Sequence, residues 1–413
     1  MLAPATTPGL TDPSALACLL RDSLKSPGLA PGAGAETDTR EFLASVFPPW
    51  YRAPSPSPRL VTRISLQDEL EADPFTFCDP RKGAHLRQVK DAYSVKGFEA
   101  ARSAANPFEK IGSCGFINRA AVKLANIDAV IPLTLGEKFT FCDVAAGPGG
   151  FTQYLQFRRP DSRGFGMSLE LPRGSSFNWA TDFLRLGPEA FTITKGQDGT
   201  GDLYTNWRYF TDFVLERVQG GVDLVTADGG IENEDYARRE GLNTPLLIAQ
   251  SLVGLGCARE GGSFLLKTFG AGSRVSGQVL YLVSLAFERV TLFKPVSSRP
   301  ANEEIYFVCQ GRRGEEEVRG PLAVLREAFQ ATQGGRKHLS NILGEGAEES
   351  EEGVPPAFAA WLREQNDRAA ERQLWAGKAI LERLAGVEAP PEEYFIPKFA
   401  LLWGLPDRVH GRV

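Results

Sequence analysis

Four charged residues of this chain, Lys123, Asp228, Lys267 and Glu304, are of the types that can activate a hydroxyl nucleophile. A lysine serves as a general base only when burial or a neighbouring cation lowers its pKa. A carboxylate can align that lysine, and a second ion pair can hold the geometry. Each residue alone has a plainer interpretation, as a turn residue, a solvated lysine or an edge charge. The chemistry therefore requires a fold that brings these four residues, called the tetrad below, together.

The remaining composition leaves few other candidates for catalysis. Three dispersed histidines, His85, His338 and His410, argue against a zinc site or a Ser-His-Asp triad, and we expect no bound metal. Six scattered cysteines without a C-x-x-C motif are typical of buried thiols in a reduced compartment. We find no run of 18 apolar residues and no basic, apolar leader, which predicts neither a membrane span nor secretion.

A glycine-rich stretch lies between an apolar run at 139–144 and a helical pattern. Its residues are Ala145, Ala146, Gly147, Pro148, Gly149, Gly150 and Phe151. Glycines let the backbone approach a ligand, and the helix start directs free N–H groups and a positive dipole end at it. A tight structural turn is one alternative. A dinucleotide site is another, although the spacing is not G-x-G-x-x-G.

Alternating strand and helix patterns predict an α/β fold for the central part of the chain. Candidate strands are 139–144, 163–169, 191–195, 222–227, 263–268, 288–294 and 303–310. Candidate helices are 117–127, 150–157, 205–218, 243–258 and 275–286. This alternation predicts a mostly parallel sheet with helices on both faces. The loop before the last strand is too short for a parallel crossover, so that strand should be antiparallel.

This topology predicts that the tetrad converges at one edge of the sheet. Asp228 and Lys267 end two parallel strands, so both lie at the carboxyl edge beside the glycine-rich turn. Glu304 begins the antiparallel strand, and its start lies at the same edge. Lys123, on the helix before the first strand, can reach that edge.

Outside the central part, composition predicts three regions. Residues 1–36 read as a flexible arm, 37–311 as the core with an irregular N-terminal wrapping segment, and 312–413 as an acidic, helical appendage with disorder at 344–356. The net charge is −5, yet residues 81–123 carry nine lysines and arginines against three acidic residues. That segment suits a polyanion, with a solvated helix face as the common alternative.

Several segments together resemble the FtsJ-type RNA 2′-O-methyltransferases. They are Lys123, Asp143–Phe151, Ala227–Gly230, Leu266–Phe269 and Arg299–Glu304. Three further segments, 106–109, 298–302 and 402–407, resemble the narrower group of cap-specific mRNA enzymes that make cap 1. The resemblance spans about 77–310. It implies a Rossmann-like, S-adenosylmethionine-dependent methyltransferase sheet with N-terminal and C-terminal extensions.

The resemblance implies methyl transfer from S-adenosylmethionine to the ribose 2′-hydroxyl of the first transcribed nucleotide of N7-methylguanosine-capped mRNA. Lys267 would then be the base, aligned by Asp228, with Lys123 as a cationic neighbour held by Glu304. Alternatives are an enzyme for ribosomal or transfer RNA or for cap 2, and a non-catalytic RNA-binding module of the same fold. The reaction predicts a nuclear location, with the cytoplasm as the alternative. It leaves open other partners among the capping or transcription machinery.

The resemblance also implies two sets of binding residues. The cofactor set is Asn118, Ala145, Ala146, Gly147, Pro148, Gly149, Gly150, Phe151, Asp202 and Leu203, with Glu170 ranked below Asp202. The substrate set is Lys90, Tyr93, Arg102, Asn302 and an acid that is either Glu234 or Asp235. Methylated guanine is a flat cation, so it needs an aromatic face, an acid for its edge and basic residues for its phosphates. A core tyrosine is the alternative for Tyr93, and a plain loop for Asp202.

Overall fold

The computed structural model describes residues 49–55, 60–70, 75–93, 96–106, 108–231, 235–332, 336–344 and 352–386, with Trp403 and Leu405. Its strands are β1 (Thr62–Gln67), β2 (Thr140–Val144), β3 (Arg163–Met167), β4 (Phe191–Ile193), β5 (Val222–Ala227), β6 (Ala258–Phe269), β7 (Phe287–Phe293), β8 (Glu304–Arg312) and β9 (His338–Leu343). Its α-helices are α1 (Pro80–Asp91), α2 (Phe98–Ala104), α3 (Arg119–Val130), α4 (Gly150–Arg158), α5 (Leu203–Leu215), α6 (Arg239–Cys257), α7 (Arg274–Leu285), α8 (Glu315–Ala331) and α9 (Pro356–Leu384).

Seven strands form the central sheet, in the order β4-β3-β2-β5-β6-β8-β7. Neighbours from β4 to β6 pair in parallel, and β8 pairs antiparallel with both β6 and β7. The predicted strands and the antiparallel last strand are therefore confirmed. Because the order reverses between β2 and β5, the glycine-rich turn after β2 lies at the topological switch point of the sheet.

Both faces of the sheet are buried, which explains the continuous apolar runs of its strands. One face, with Phe141, Leu224 and Leu265, packs in a cluster with residues of α3 and α4. The other face, with Val225 and Leu266, packs with residues of α5, α6, α7 and α8. The two helical layers hold the carboxyl edge of the sheet rigid, and the tetrad lies at that edge.

The terminal extensions differ from the expected irregular and purely helical segments. β1, inside the supposed irregular segment, pairs antiparallel with β9 in a separate two-stranded sheet. Sequence reasoning misses such a pair because the two strands lie far apart in the chain. α9 packs on α1 and α2, so the C-terminal part lies against the N-terminal helices. The predicted arm at 1–36 and most of the predicted disorder at 344–356 fall outside the described residues.

Among the described residues, no helix combines the length and apolarity that crossing a membrane requires. The five cysteines in the described ranges are all buried, and none of these five forms a disulfide. These ranges also contain no group of three or more histidine, cysteine or carboxylate side chains placed to hold a metal ion.

Candidate active site

The tetrad lies at the carboxyl edge of the sheet as two adjacent ion pairs. Lys267 Nζ is 3.2 Å from Asp228 Oδ1 and also donates to the Asp228 backbone oxygen. Lys123 Nζ, from α3, is 2.8 Å from the Glu304 carboxylate. The pairs adjoin because Glu304 stands opposite Phe269, two residues after Lys267, in the β6–β8 ladder. Only 10% of the Lys267 side chain and 7% of the Glu304 side chain are exposed.

Neighbouring charges determine the direction in which the pKa values of Glu304 and Lys123 shift. Burial acts to raise the pKa of Glu304, but Lys123, Lys267 and Lys294 outweigh it and lower that pKa to about 2. Burial acts to lower the pKa of Lys123, but Glu304 and Asp228 outweigh it and raise that pKa. Lys123 therefore keeps its proton at neutral pH and cannot accept another. Lys267 is the other lysine of the tetrad, and its amine contacts Asp228.

Three further side chains support the tetrad, and sequence reasoning missed them. The Tyr306 hydroxyl donates to Asp228 Oδ1 at 2.9 Å, and the Ser298 hydroxyl donates to Glu304 Oε1 at 2.8 Å. Lys294 Nζ donates to the Glu304 backbone oxygen at 2.7 Å. Tyr306 was open to prediction, because it stands two residues after Glu304 on the same face of a strand. Ser298 and Lys294 belong to the loop before β8, whose course no sequence pattern indicates.

The glycine-rich turn is a tightly packed connection from β2 to α4. Ala145 and Gly149 have φ of 53° and 106°, the left-handed region that favours glycine. A Cβ on Gly147 would lie 2.0 Å from the backbone oxygen of Phe177. A Cβ on Gly229 would lie 2.6 Å from the Ala145 Cβ. Since Gly229 directly follows Asp228, the turn and the tetrad share one surface.

Asn118 extends this surface from the other side of the turn. It is the N-cap of α3, and a Cβ on Gly150 would lie 2.0 Å from its Oδ1. Beneath the turn, the Asp143 carboxylate accepts from the Thr152 amide at 3.0 Å and hydroxyl at 2.7 Å, which fixes the start of α4. Burial raises the pKa of Asp143 to about 7 despite these hydrogen bonds. Asp143 thus positions the helix N-terminus that faces the edge.

The remaining cofactor candidates divide into edge and core residues. Asp202 is the N-cap of α5, at the end of a loop that reaches the segment after β3, where the Glu170 amide donates to the Thr200 oxygen at 2.7 Å. Glu170 itself is exposed. The side chains of Phe151 and Leu203 are buried in the two apolar clusters. Asp202 therefore fits a ligand at this edge, whereas Phe151 and Leu203 contribute mainly to packing.

A cavity of about 130 Å³ adjoins the tetrad between α1, α9 and the starts of β8 and α6. We call it the side cavity, and its walls include Lys90, Tyr236, Phe269, Asn302, Glu303 and Gln373. Lys90 is buried and forms an ion pair with Glu303, and burial lowers the pKa of Lys90 although Glu303 opposes this. The other carboxylate oxygen of Glu303, Oε2, is buried and has no hydrogen-bond partner among the described residues. The cavity thus combines aromatic rings with an unsatisfied carboxylate oxygen.

Some of the predicted substrate residues line this cavity and others do not. Lys90 and Asn302 line it. Tyr93 does not, because its ring stacks on Phe98 at 4.6 Å and its hydroxyl lies against α9 at Gly377. Arg102 also lies outside it, with its guanidinium over Phe98 at 5.3 Å. The structure therefore favours the core interpretation of Tyr93, and the aromatic walls of the cavity are Phe75, Tyr236 and Phe269.

Neither of the two acids proposed for the substrate lines the described part of this cavity. Glu234 falls outside the described residues. Asp235 points to the start of α6, where it accepts from the Arg238 backbone amide at 3.2 Å. Glu240, Glu304 and Glu303 line the cavity instead, and the one of these three with a buried oxygen that lacks a hydrogen-bond partner among the described residues is Glu303. Glu303 was not predicted because adjacent residues of an extended chain face opposite sides, and the prediction used Glu304, which faces the tetrad.

Segments 106–109 and 298–302, which carry the resemblance to the cap 1 enzymes, contact each other through Glu109 and Arg299. Arg299 Nη2 donates to Glu109 Oε1 at 2.9 Å, and Asn106 donates to Glu109 Oε2 at 2.7 Å. Burial opposes ionisation of Glu109, but Arg299, Asn106 and Arg119 outweigh it and lower its pKa to about 2. This ionic cluster holds the loop that carries Asn302 and leads into β8.

The fold and the edge chemistry together define a class of protein. A mostly parallel sheet with an antiparallel final strand carries a glycine-rich turn and a Lys-Asp-Lys-Glu set at one edge. Residues 116–312 match the family described as FtsJ-like methyltransferase. This part of the chain is an FtsJ-like methyltransferase domain, and the matched range contains the whole tetrad and the glycine-rich turn.

Similar proteins narrow the comparison. The chain is 38% identical over 285 residues to cap-specific mRNA (nucleoside-2′-O-)-methyltransferase 1 of Danio rerio, covering 62% of this chain and 33% of that protein. It is 37% identical over 288 residues to the protein of that name from Homo sapiens, and this match covers 63% of this chain and 34% of that protein. The match to the protein of the same name from Ailuropoda melanoleuca is 32% identical over 379 residues and covers 84% of this chain and 44% of that protein. The chain thus spans less than half the length of each of these relatives.

Proposed function

We propose that this chain transfers a methyl group from S-adenosylmethionine to the ribose 2′-hydroxyl of the first transcribed nucleotide of N7-methylguanosine-capped mRNA. The observation that carries the proposal is the tetrad, a network of two ion pairs beside a glycine-rich turn at the carboxyl edge. The named activity of the similar proteins supports the same reaction. A nuclear location is part of the proposal because the reaction belongs to mRNA processing.

The residues at the edge fit the methyl donor. The donor would supply an electrophilic methyl group on a sulfonium, and the turn at 145–150, Asn118 and Asp202 would hold it. Asp228, fixed by Tyr306, keeps the Lys267 amine at the edge. The donor would supply its methyl carbon to the hydroxyl oxygen, and the Lys267 amine, in its neutral form, would accept the hydroxyl proton. Holding the two reactants at attack distance supplies much of the rate enhancement.

The side cavity fits the methylated guanine of the cap. That base is planar and cationic, and its edge carries N–H donors. Tyr236 and Phe269 offer ring faces, and Glu303 Oε2 is an acceptor without a partner among the described residues. An unsatisfied carboxylate oxygen in an enclosed site is costly unless a ligand donor reaches it. The charge and hydrogen-bonding pattern of methylguanine would satisfy it.

The test of the proposed function is methyl transfer to matched short RNAs, one with an N7-methylguanosine cap and one with a bare 5′-triphosphate. Tritiated S-adenosylmethionine reports incorporation, and nuclease digestion locates the label. We expect label at the 2′-oxygen of the first nucleotide of the capped RNA alone. Equal label on both RNAs would keep the methyltransferase class and remove cap specificity. Donor binding without label on either RNA would favour a non-catalytic module.

Replacing Glu303 by glutamine should reduce the preference for the N7-methylated cap over an unmethylated guanosine cap. Loss of one charged hydrogen bond to the base corresponds to a roughly tenfold to hundredfold fall in the ratio of kcat/KM values. Asp235→Asn is the matched control, because Asp235 is not among the residues that line the side cavity. A fall in selectivity with Asp235→Asn and not with Glu303→Gln would assign the acid to the segment at 234–235 instead.

A further inference from the structure

Lys294 is a lysine outside the tetrad whose contacts are unusually specific. It follows the last residue of β7 and turns into the loop that leads to β8. Its Nζ donates to the Asn302 backbone oxygen at 2.8 Å and to the Glu304 backbone oxygen at 2.7 Å. It also donates to the side-chain oxygen of Asn302. One amine thus connects a cavity residue with a residue of the tetrad.

The number of acceptors around Lys294 Nζ has a chemical consequence. Three oxygens require three N–H donors, and only the protonated amine has three. The Ser298 hydroxyl also approaches Asn302 Oδ1, at 3.4 Å. With its oxygen held on this side, the Asn302 amide has its nitrogen free, and that nitrogen has no partner among the described residues. Asn302 lines the side cavity, so the amide is available as a donor to a ligand there.

The charges around Lys294 bring its proton loss close to neutral pH. Burial lowers the pKa of Lys294 to about 7; Lys123 from α3 and Lys90 from α1 add to this effect, and Glu304 and Glu303 oppose it. A neutral amine has two donors and a lone pair. Asn302 can then turn its amide, so that its nitrogen donates to the lone pair and its oxygen faces the cavity.

We propose that Lys294 is a positioning residue whose proton decides which end of the Asn302 amide faces the substrate. While Lys294 is protonated, Asn302 presents an N–H donor, which suits the phosphate and ribose oxygens of a capped RNA. When Lys294 loses its proton, Asn302 presents an oxygen that repels the same groups. This inference takes the identity of the substrate from the proposed function. The effect of Lys294 on Asn302 is inferred from their contacts alone.

A double-mutant cycle tests the proposal, with Lys294→Met, Asn302→Ala and the combined variant. The measurements are KM and Kd for capped RNA and Kd for S-adenosylmethionine. Lys294→Met should raise KM for RNA about tenfold, the loss expected for one charged hydrogen bond. In the Asn302→Ala background it should add less than about twofold. Equal effects in both backgrounds would overturn the proposal, and so would a loss confined to kcat, which would mean that Lys294 acts through Glu304.

The pH dependence supplies a second readout that needs no Lys294 variant and stands if that variant fails to fold. In the wild-type protein, KM for capped RNA should rise as pH increases through about 7. Asn302→Ala should remove that rise, and it leaves Lys90, which contacts Glu303 rather than Asn302, unchanged. The same rise in both proteins would refute the role of Lys294. The Kd for capped RNA, measured without the methyl donor, should show the same pH dependence as KM. If the protein transferred no methyl group to any RNA, the proposed function would be wrong, but this binding measurement would still test the role of Lys294.

Discussion

Substitution of Lys267 by methionine should lower methyl transfer to capped RNA by at least about a thousandfold, while the Kd for S-adenosylmethionine changes less than about twofold. Methionine keeps most of the aliphatic stem and removes the amine that would accept the hydroxyl proton. Single-turnover methyl transfer and calorimetric binding of the donor measure the two quantities separately. The expected split follows from the site, because the Lys267 amine contacts Asp228 and the residues that would hold the donor lie on the turn after β2.

The fold should tolerate this substitution because the charges left behind keep partners. Asp228 retains the Tyr306 hydroxyl at 2.9 Å, and Glu304 retains Lys123 and Ser298. Lys378→Met is a suitable control, since that lysine is 77% exposed and pairs with Glu382 on the same helix, α9. It should leave the rate unchanged. If Lys267→Met weakens donor binding as much as it slows transfer, Lys267 has a structural role and the base lies elsewhere.

Lys123 and Lys267 have different carboxylate partners. Lys123 pairs with Glu304, and Lys267 pairs with Asp228. Glu304 and Asp228 raise the pKa of Lys123 against the effect of burial, so Lys123 is a permanent cation in the neutral range. A cation held beside the reacting groups favours loss of a proton from a nearby hydroxyl. In the proposed mechanism, Lys123 would supply the fixed positive charge, and Lys267 would accept the proton.

Local patterns in the sequence were sufficient to place the glycine-rich turn and the strand-end residues of the tetrad. The apolar run before Asp143 and the glycines after it specify a strand, a turn and a helix within a short segment. Asp228 and Lys267 follow or end parallel strands, and such positions meet by topology wherever the intervening helices lie. The convergence of Asp228, Lys267 and Glu304 was therefore predictable from strand order, whereas Lys123 lies on α3 and was expected only to be able to reach that edge.

The substrate side was less predictable because its walls come from distant parts of the chain. The side cavity lies between α1 and α9, whose residues are separated by most of the sequence. Tyr93 and Tyr236 are both tyrosines near basic residues, and only packing distinguishes them. The ring of Tyr93 stacks on Phe98, whereas Tyr236 lines the cavity beneath the Arg239 guanidinium at 4.3 Å. The pairing of β1 with β9 escaped prediction for the same reason.

Replacing Gly147 by alanine should weaken S-adenosylmethionine binding about a hundredfold without unfolding the sheet. The added Cβ would lie 2.0 Å from the Phe177 backbone oxygen and 3.1 Å from the Ser168 hydroxyl. The backbone oxygen cannot rotate away, so the turn and the segment after β3 must separate. That separation strains the hydrogen bonds from the Gly147 amide to Ser168 at 3.0 Å and from the Ala180 amide to the Pro148 oxygen at 3.0 Å. Displacement of a binding turn by about 1 Å is sufficient for a loss of this size.

Gly314→Ala is the matched control for this substitution. Gly314 is the N-cap of α8, its φ of −62° is open to alanine, and the nearest atom to an added Cβ is 3.9 Å away. The control should keep the donor Kd within about twofold, with at most a small loss of stability from a poorer cap. Isothermal titration with S-adenosylmethionine gives the Kd values, and thermal unfolding shows whether each variant is folded. A folded Gly147→Ala protein with unchanged donor affinity would mean that the close packing at Gly147 serves the fold alone. The methyl donor would then bind elsewhere along the edge, nearer Asp202 and the start of α5.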